Sequence, residues 1–205
     1  MIGTGSAGRQ LADGFRRIGH DVVVGTRDPE ATRQREEWSG SDLPLAALAD
    51  VATGADLVVN VTNGNASLEA LAEVDLDGLV LVDVANPLDF SAGFPPTLSV
   101  KDTDSLAEQI QRAHPEARVV KALNTVTASV MVDPGSLPEQ TTIFLAGDDA
   151  AARETVRALL AELGWVDIVE FPGLDAARGL EMWLPLWVRL MGALGTAEFN
   201  LRLVR

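Results

Sequence analysis

The chain has 205 residues, with 16 Lys and Arg against 30 Asp and Glu for a net charge of −14, a balance that repels phosphate backbones and excludes general nucleic-acid binding. It has no Cys and two His, which excludes a disulfide framework, a thiolate or multi-His metal site and a catalytic thiol. Its 47% hydrophobic and 22% charged residues suit a globular protein with a substantial core; no basic-then-apolar leader opens it, and the apolar stretch 180–194 is broken by Glu181, Pro185 and Arg189, so a cytoplasmic location without a membrane partner is expected.

In chain order, the first element is Met1-Ile2-Gly3-Thr4-Gly5-Ser6-Ala7-Gly8, a G-x-G-x-x-G turn. It leads into a helix whose Leu11, Phe15 and Ile18 share one face and which Gly19 ends. In such a turn Gly3 permits the tight bend and Gly5 lets the backbone approach a pyrophosphate. Gly8 allows helix and strand to pack closely, while the helix N-terminus offers free N–H groups to the anion. Thr4, Ser6 and Ala7 complete this expected cofactor cradle. Only Met1 and Ile2 precede Gly3, fewer than a central strand needs, so an upstream segment is expected to complete it.

A second strand, residues 21–25, ends about 20 residues after the glycine loop, where the ribose-reading residue belongs. Thr26 and Arg27 stand there. No carboxylate occupies the position to repel a 2′-phosphate, and a hydroxyl and a guanidinium are available to bind it, so NADP(H) is expected over NAD(H). Asp28 caps a helix starting near Pro29. Arg33 is expected to add positive charge to the site, with Arg35 beside it; a solvated helix face is the competing reading of both.

Further apolar runs at residues 57–61, 79–84, 118–123 and 141–146 are near-continuous, as in strands covered on both faces. They alternate with helical patterns, one of which carries Val156, Leu159, Leu160 and Leu163 between an Asp148 N-cap and Gly164. This rhythm predicts an α/β fold: a doubly wound parallel Rossmann sheet with a small C-terminal helical extension. A single domain is expected over residues 1–205, with its core in 1–125; residues 126–205 complete the sheet and add the C-terminal helix. Residues 86–104 form a long connection of the kind that is usually functional. Residues 174–194 read as one helix, apolar on nearly every side, buried in the fold or at a homodimer contact.

Ligands of open α/β sheets sit at the carboxyl ends of the strands. Asn60, Thr62, Asn86 and Asn124 stand there and could orient a nicotinamide and its ribose; each could equally close its strand as a local turn. No catalytic Ser/His/Asp or Cys/His set is present. His20 reads as structural and His114 as a helix-end surface residue, and Lys121 lies inside a strand with its ammonium reaching solvent or a carboxylate.

The segment GTGSAGRQLADGFRRIGHDVVVGTRD (residues 3–28) resembles the opening of the NADPH-dependent reductases of the deazaflavin coenzyme F-420. VVKALNTVTA (119–128), Ala146-Gly147-Asp148-Asp149 and LDAARGLEMWLPLWVRLMGALGTAEF (174–199) extend the similarity over essentially the whole chain. The resemblance implies NADPH held by the glycine loop and a Thr/Ser-Arg pair, matched by Thr4, Thr26 and Arg27, and a hydride moved directly to a stacked deazaflavin. A related NADPH domain occurs in membrane-bound ferric reductases, where a flavin takes the hydride. Two positions depart from the best-known deazaflavin enzymes: they commonly carry His where Asn124 stands, and their basic residue early in the second helix falls near Ala31, so that Arg33 would substitute. A small-molecule acceptor, deazaflavin or flavin, is therefore expected. The alternatives are a non-catalytic NADPH-binding or sensing module, or a reductase of a small imine or carbonyl, which the absence of any Tyr disfavours.

Overall fold

The computed structural model describes residues 1–205. Its elements are α1 (Ser6–Arg17), β1 (Val24–Thr26), α2 (Pro29–Arg33), β2 (Leu45–Ala47), β3 (Leu57–Asn60), α3 (Ser67–Leu71) and β4 (Val80–Asp83), then β5 (Leu88–Asp89), β6 (Thr97–Leu98), α4 (Leu106–Ala113), β7 (Arg118–Ala122) and α5 (Ala128–Val132). The chain finishes with β8 (Thr142–Gly147), α6 (Ala150–Glu162), β9 (Asp167–Phe171), α7 (Ala177–Met182) and α8 (Leu184–Leu194). No helix is long and apolar enough to cross a membrane.

The main sheet runs β2-β1-β3-β4-β7-β8-β9, joined between β1 and β3 by Ile2, which bridges in parallel to Gly25 and Asn60. Ile2 N–H donates to Val59 O at 2.8 Å, Val61 N–H donates to Ile2 O at 2.8 Å, and Gly25 N–H donates to Met1 O at 2.7 Å. Successive strand residues point to opposite faces. Val59, Val82 and Val120 enter one core cluster with Leu11, Phe15, Val156 and Leu160 of α1 and α6, while Val58, Leu81 and Val119 enter another with Leu71, Leu106 and Ile110 of α3 and α4. Coverage on both faces is why these strands read as unbroken apolar runs.

The architecture is the doubly wound Rossmann type with a helical C-terminal end, and five details differ from the sequence reading. Strand β8 runs antiparallel to β7, with Val120 opposite Gly147 and Ala122 opposite Leu145. A parallel return needs a crossover that carries the chain the length of the sheet, and the five residues of α5 do not provide one. Strands β2 and β9 carry no continuous apolar signal: β2 has three residues and β9 is a half-buried edge strand. The N-cap of α6 is Asp149, whose side chain accepts from Ala152 N–H, while Asp148 accepts from Leu174 N–H. Residues 174–194 do not form one helix: a short turn at Leu174–Ala176 precedes α7 and α8, which meet at Trp183 just before Pro185. The sequence puts Leu180, Leu184 and Val188 on one apolar face and Trp183, Trp187, Leu190, Met191 and Leu194 on a neighbouring one; the first is buried, whereas the second is half-buried and at Leu194 exposed, as are Met182 and Leu186. The long connection 86–104 is not structureless, because β5 and β6 pair within it as an antiparallel hairpin.

Candidate functional site

A cavity of about 560 Å³ opens at the carboxyl ends of β1 and β3, bounded by Gly3, Thr4 and Gly5 on one side and Thr26 and Arg27 on another. That volume falls within the range of small-molecule and cofactor sites. The glycine loop is shaped by sterics. Gly3 has φ +126°, and a Cβ there would come within 2.5 Å of Val61 O. A Cβ on Gly8 would overlap the Gly3 carbonyl, so the first turn of α1 can lie on the loop only without a side chain. Gly5, the N-cap of α1, uses no side chain for capping, and nothing lies within 4 Å of where its Cβ would be. Ser6 and Ala7 follow in the first turn of a 12-residue helix. A free helix N-terminus facing open space is a fit for the pyrophosphate of a dinucleotide.

The loop is braced from outside the glycine motif. Trp38, fully buried, donates its indole N–H to Thr4 O at 3.1 Å, and Arg9 Nη1 donates to Glu37 O at 2.6 Å. A lone Trp beyond α2 has no spacing signature that ties it to the loop; only the fold brings it there.

At the tip of β1, the hydroxyls of Thr26 and Thr32 lie 2.7 Å apart, both residues being buried. Arg27 lines the cavity from an exposed position. Asp28 caps α2 as expected, accepting from Ala31 N–H at 2.9 Å. Arg33, expected at the site, is turned away. Its Nη1 and Nη2 donate to Ser41 O and Leu43 O, each at 2.6 Å, and its guanidinium lies over the Trp38 ring with its carbon 5.8 Å from the centroid. Arg33 therefore holds the 33–43 turn closed and does not line the cavity.

The strand-end residues divide. Thr62 and its neighbour Asn63, which the sequence reading did not single out as a candidate, line the cavity. Asn60 does not: it is fully buried and donates Nδ2 to Asp83 Oδ1 at 2.8 Å and to Ser67 Oγ at 3.1 Å, while its Oδ1 accepts from Thr62 N and Oγ1. Asn86 and Asn124 are brought together. Asn124 Nδ2 donates to Asn86 Oδ1 at 2.9 Å and to Leu180 O at 3.0 Å, and Asn86 Nδ2 donates back to Asn124 O at 3.0 Å. Leu123, just before Asn124, has φ +63°, a left-handed conformation that a non-glycine residue holds at a cost of about 1–3 kcal/mol. The bend carries the chain away from the strand direction at Asn124, whose Oδ1 and the neighbouring Thr125 Oγ1 are buried without partners.

Lys121 does not reach solvent. Its Nζ lies 2.8 Å from Asp83 Oδ2 and 2.9 Å from Glu181 Oε1, and it also donates to Ala85 O. Burial pulls its pKa down, but the two carboxylates outweigh that and hold it above the ordinary value. His20 pairs on the surface with Glu162 at 2.8 Å. His114 is the C-cap of α4, its pKa lowered by burial.

A doubly wound sheet with a glycine loop, an open helix N-terminus and a Thr-Arg strand tip around one cavity defines a Rossmann dinucleotide-binding protein. The model of the family described as "NADP oxidoreductase coenzyme F420-dependent" matches residues 1–87. The F420-dependent NADP reductase of Methanothermobacter thermautotrophicus is 30% identical, over 92% of this chain and 86% of that protein. A crystal structure from Arthrobacter sp. FB24, provisionally described as an F420-dependent NADP reductase, is 50% identical with a TM-score of 0.95, covering 100% of this chain and 97% of that one. Metalloreductase STEAP3 of Rattus norvegicus is 29% identical over 91% of this chain but only 37% of its own length. The chain belongs to the coenzyme F420-dependent NADP oxidoreductase family and is an NADP-dependent oxidoreductase.

Proposed function

We propose that this protein transfers a hydride between NADP(H) and a deazaflavin of the coenzyme F-420 type. The observation that carries the reading is the single cavity joining the glycine loop to Thr26 and Arg27. Bound there, the nicotinamide supplies or takes up the hydride, so the protein needs to orient, exclude water and neutralise charge rather than move protons. Backbone N–H groups at the start of α1 receive the pyrophosphate, and Arg27 and the Thr26 hydroxyl receive the 2′-phosphate. Thr62 borders the nicotinamide end; Asn86 and Asn124, expected there as well, do not line the cavity and are bonded to each other. Support comes from the deazaflavin-dependent relative, similar along 86% of its length. A flavin is the second acceptor to test, because the metalloreductase relative is nearly as similar and Asn124 resembles that branch. We also propose a cytoplasmic location and a homodimer formed through the exposed residues of α7 and α8, Met182, Leu186 and Leu194.

The test is oxidation of NADPH, followed at its nicotinamide absorbance, with F-420, free flavin and ferric chelate offered separately. Turnover is expected with F-420 well above the others. Faster turnover with free flavin would replace the deazaflavin assignment, and no turnover with any acceptor, despite tight NADPH binding, would favour a sensing module.

A further inference from the structure

We propose that Arg35, at the turn leaving α2, is the second 2′-phosphate cation beside Arg27 and sets the preference for NADP(H) over NAD(H). This rests on the NADP(H) reading above and assigns a residue within it. Arg33 is committed to Ser41 O, Leu43 O and the Trp38 face. Two residues on, the backbone of Arg35 leaves the helical region (φ −69°, ψ 142°), and its side chain lines the same cavity as Thr26, Arg27, Ala31 and Thr32.

The Arg35 side chain is 40% exposed and meets one carboxylate, that of Glu37, only loosely. Its Nε and Nη2 donate no hydrogen bond. Glu37, its ion-pair partner, stands 3.6 Å from Nε, beyond hydrogen-bond reach. Buried donors left open are costly and rare in folded proteins. A phosphomonoester dianion, with three terminal oxygens, is the kind of group that satisfies such a fork. The threonine pair adds a donor: Thr26 and Thr32 share one hydrogen bond between two hydroxyls, so one hydroxyl hydrogen remains uncommitted. Charge balance points the same way. Asp28, Glu69 and Glu73 also line the cavity, so without Arg35 the lining would hold one cation against three carboxylates. Arg35 makes it two against three and lowers the repulsion that a polyanion meets there.

The experiment titrates wild type, Arg35→Met, Arg35→Lys and Arg33→Met by calorimetry with NADP⁺, NAD⁺, 2′,5′-ADP and ADP. Wild type is expected to prefer NADP⁺ over NAD⁺ and 2′,5′-ADP over ADP. Arg35→Met is expected to weaken both phosphorylated ligands by about tenfold or more, the scale of a hydrogen bond to a charged group, with little change for the other two. Arg35→Lys should fall between, keeping the charge without the fork, and Arg33→Met should leave the preference as it was. If wild type prefers NADP⁺ and Arg35→Met keeps that preference, the Arg35 assignment is overturned while the cofactor reading stands. If wild type shows no preference for the phosphorylated ligands, the cofactor reading itself falls.

Discussion

A lysine with no exposed surface stands between two carboxylates from different elements: Asp83 on β4 and Glu181 on α7. The three groups carry one positive and two negative charges. Lys121 is held protonated, whereas burial raises the Glu181 carboxyl above its ordinary value against the pull of Lys121. Replacing Lys121 by Met removes the only cation facing those acids and leaves buried charge uncompensated, a change that costs about 3–5 kcal/mol in comparable sites. We expect a loss of unfolding free energy of that order in urea titrations, seen as a lower midpoint. Glu181→Gln leaves Asp83 paired one to one with Lys121 and is expected to cost less; equal losses would show that the network does not depend on its charge balance.

At the scale of elements, α4 is tied down at its start. Glu181 accepts from Leu106 N at 2.9 Å and Ala107 N at 3.2 Å, and the Ser105 hydroxyl accepts from Glu108 N at 3.1 Å. These bonds satisfy N–H groups that a helix otherwise leaves open. Glu108 in turn receives Arg178 of α7, with Nε to Oε2 at 2.9 Å and Nη2 to Oε1 at 2.5 Å. The Arg178 hydrogen bond, followed by that from Ser105, holds the Glu108 carboxyl below its ordinary value of 4.5. A carboxyl depressed in the folded state contributes stability that is fully present above its unfolded pKa and is lost as pH falls through the folded one. Stability is therefore expected to decline below about pH 4.5, and Glu108→Gln should flatten part of that decline in urea titrations repeated at each pH. The glycine loop gives a second prediction at this scale. Gly8→Ala places a methyl against the Gly3 carbonyl and is expected to abolish tight binding of NADP⁺ and NAD⁺ alike, unlike changes at Arg35.

For the whole molecule, the two core clusters share strands β3, β4 and β7, with alternate residues of each strand in different clusters. Neither cluster can be lost without unpairing the strands of the other. A single cooperative unfolding transition, coincident by circular dichroism and Trp fluorescence, is expected from that sharing, as for one domain. The exposed side of α8 sets the other expectation. Leu186 and Leu194 are 51% and 57% exposed, and sedimentation equilibrium should report a dimer that Leu186→Glu converts to monomer. A wild-type monomer would remove α8 from consideration as a subunit contact.

How much of this was legible in the chain follows from the range of each interaction. The glycine loop, the Thr26–Arg27 tip, the Asp28 cap and the both-face burial of β3, β4 and β7 are local: spacing, capping chemistry and strand periodicity determine them, so the sequence alone determined the fold class and marked the loop and strand tip that line one cavity. Long-range contacts decided the rest. Arg33 and Arg35 are two residues apart on similar-looking helix positions, and only the packing of Trp38 under the loop decides which guanidinium is spent on carbonyls. Asn60 and Thr62 look alike as strand-end residues until the position of Asp83 draws one into the core. The direction of β8 and the break at Trp183 depend on where the chain can return over an assembled sheet, and a sequence carries that only through contacts between residues far apart in it.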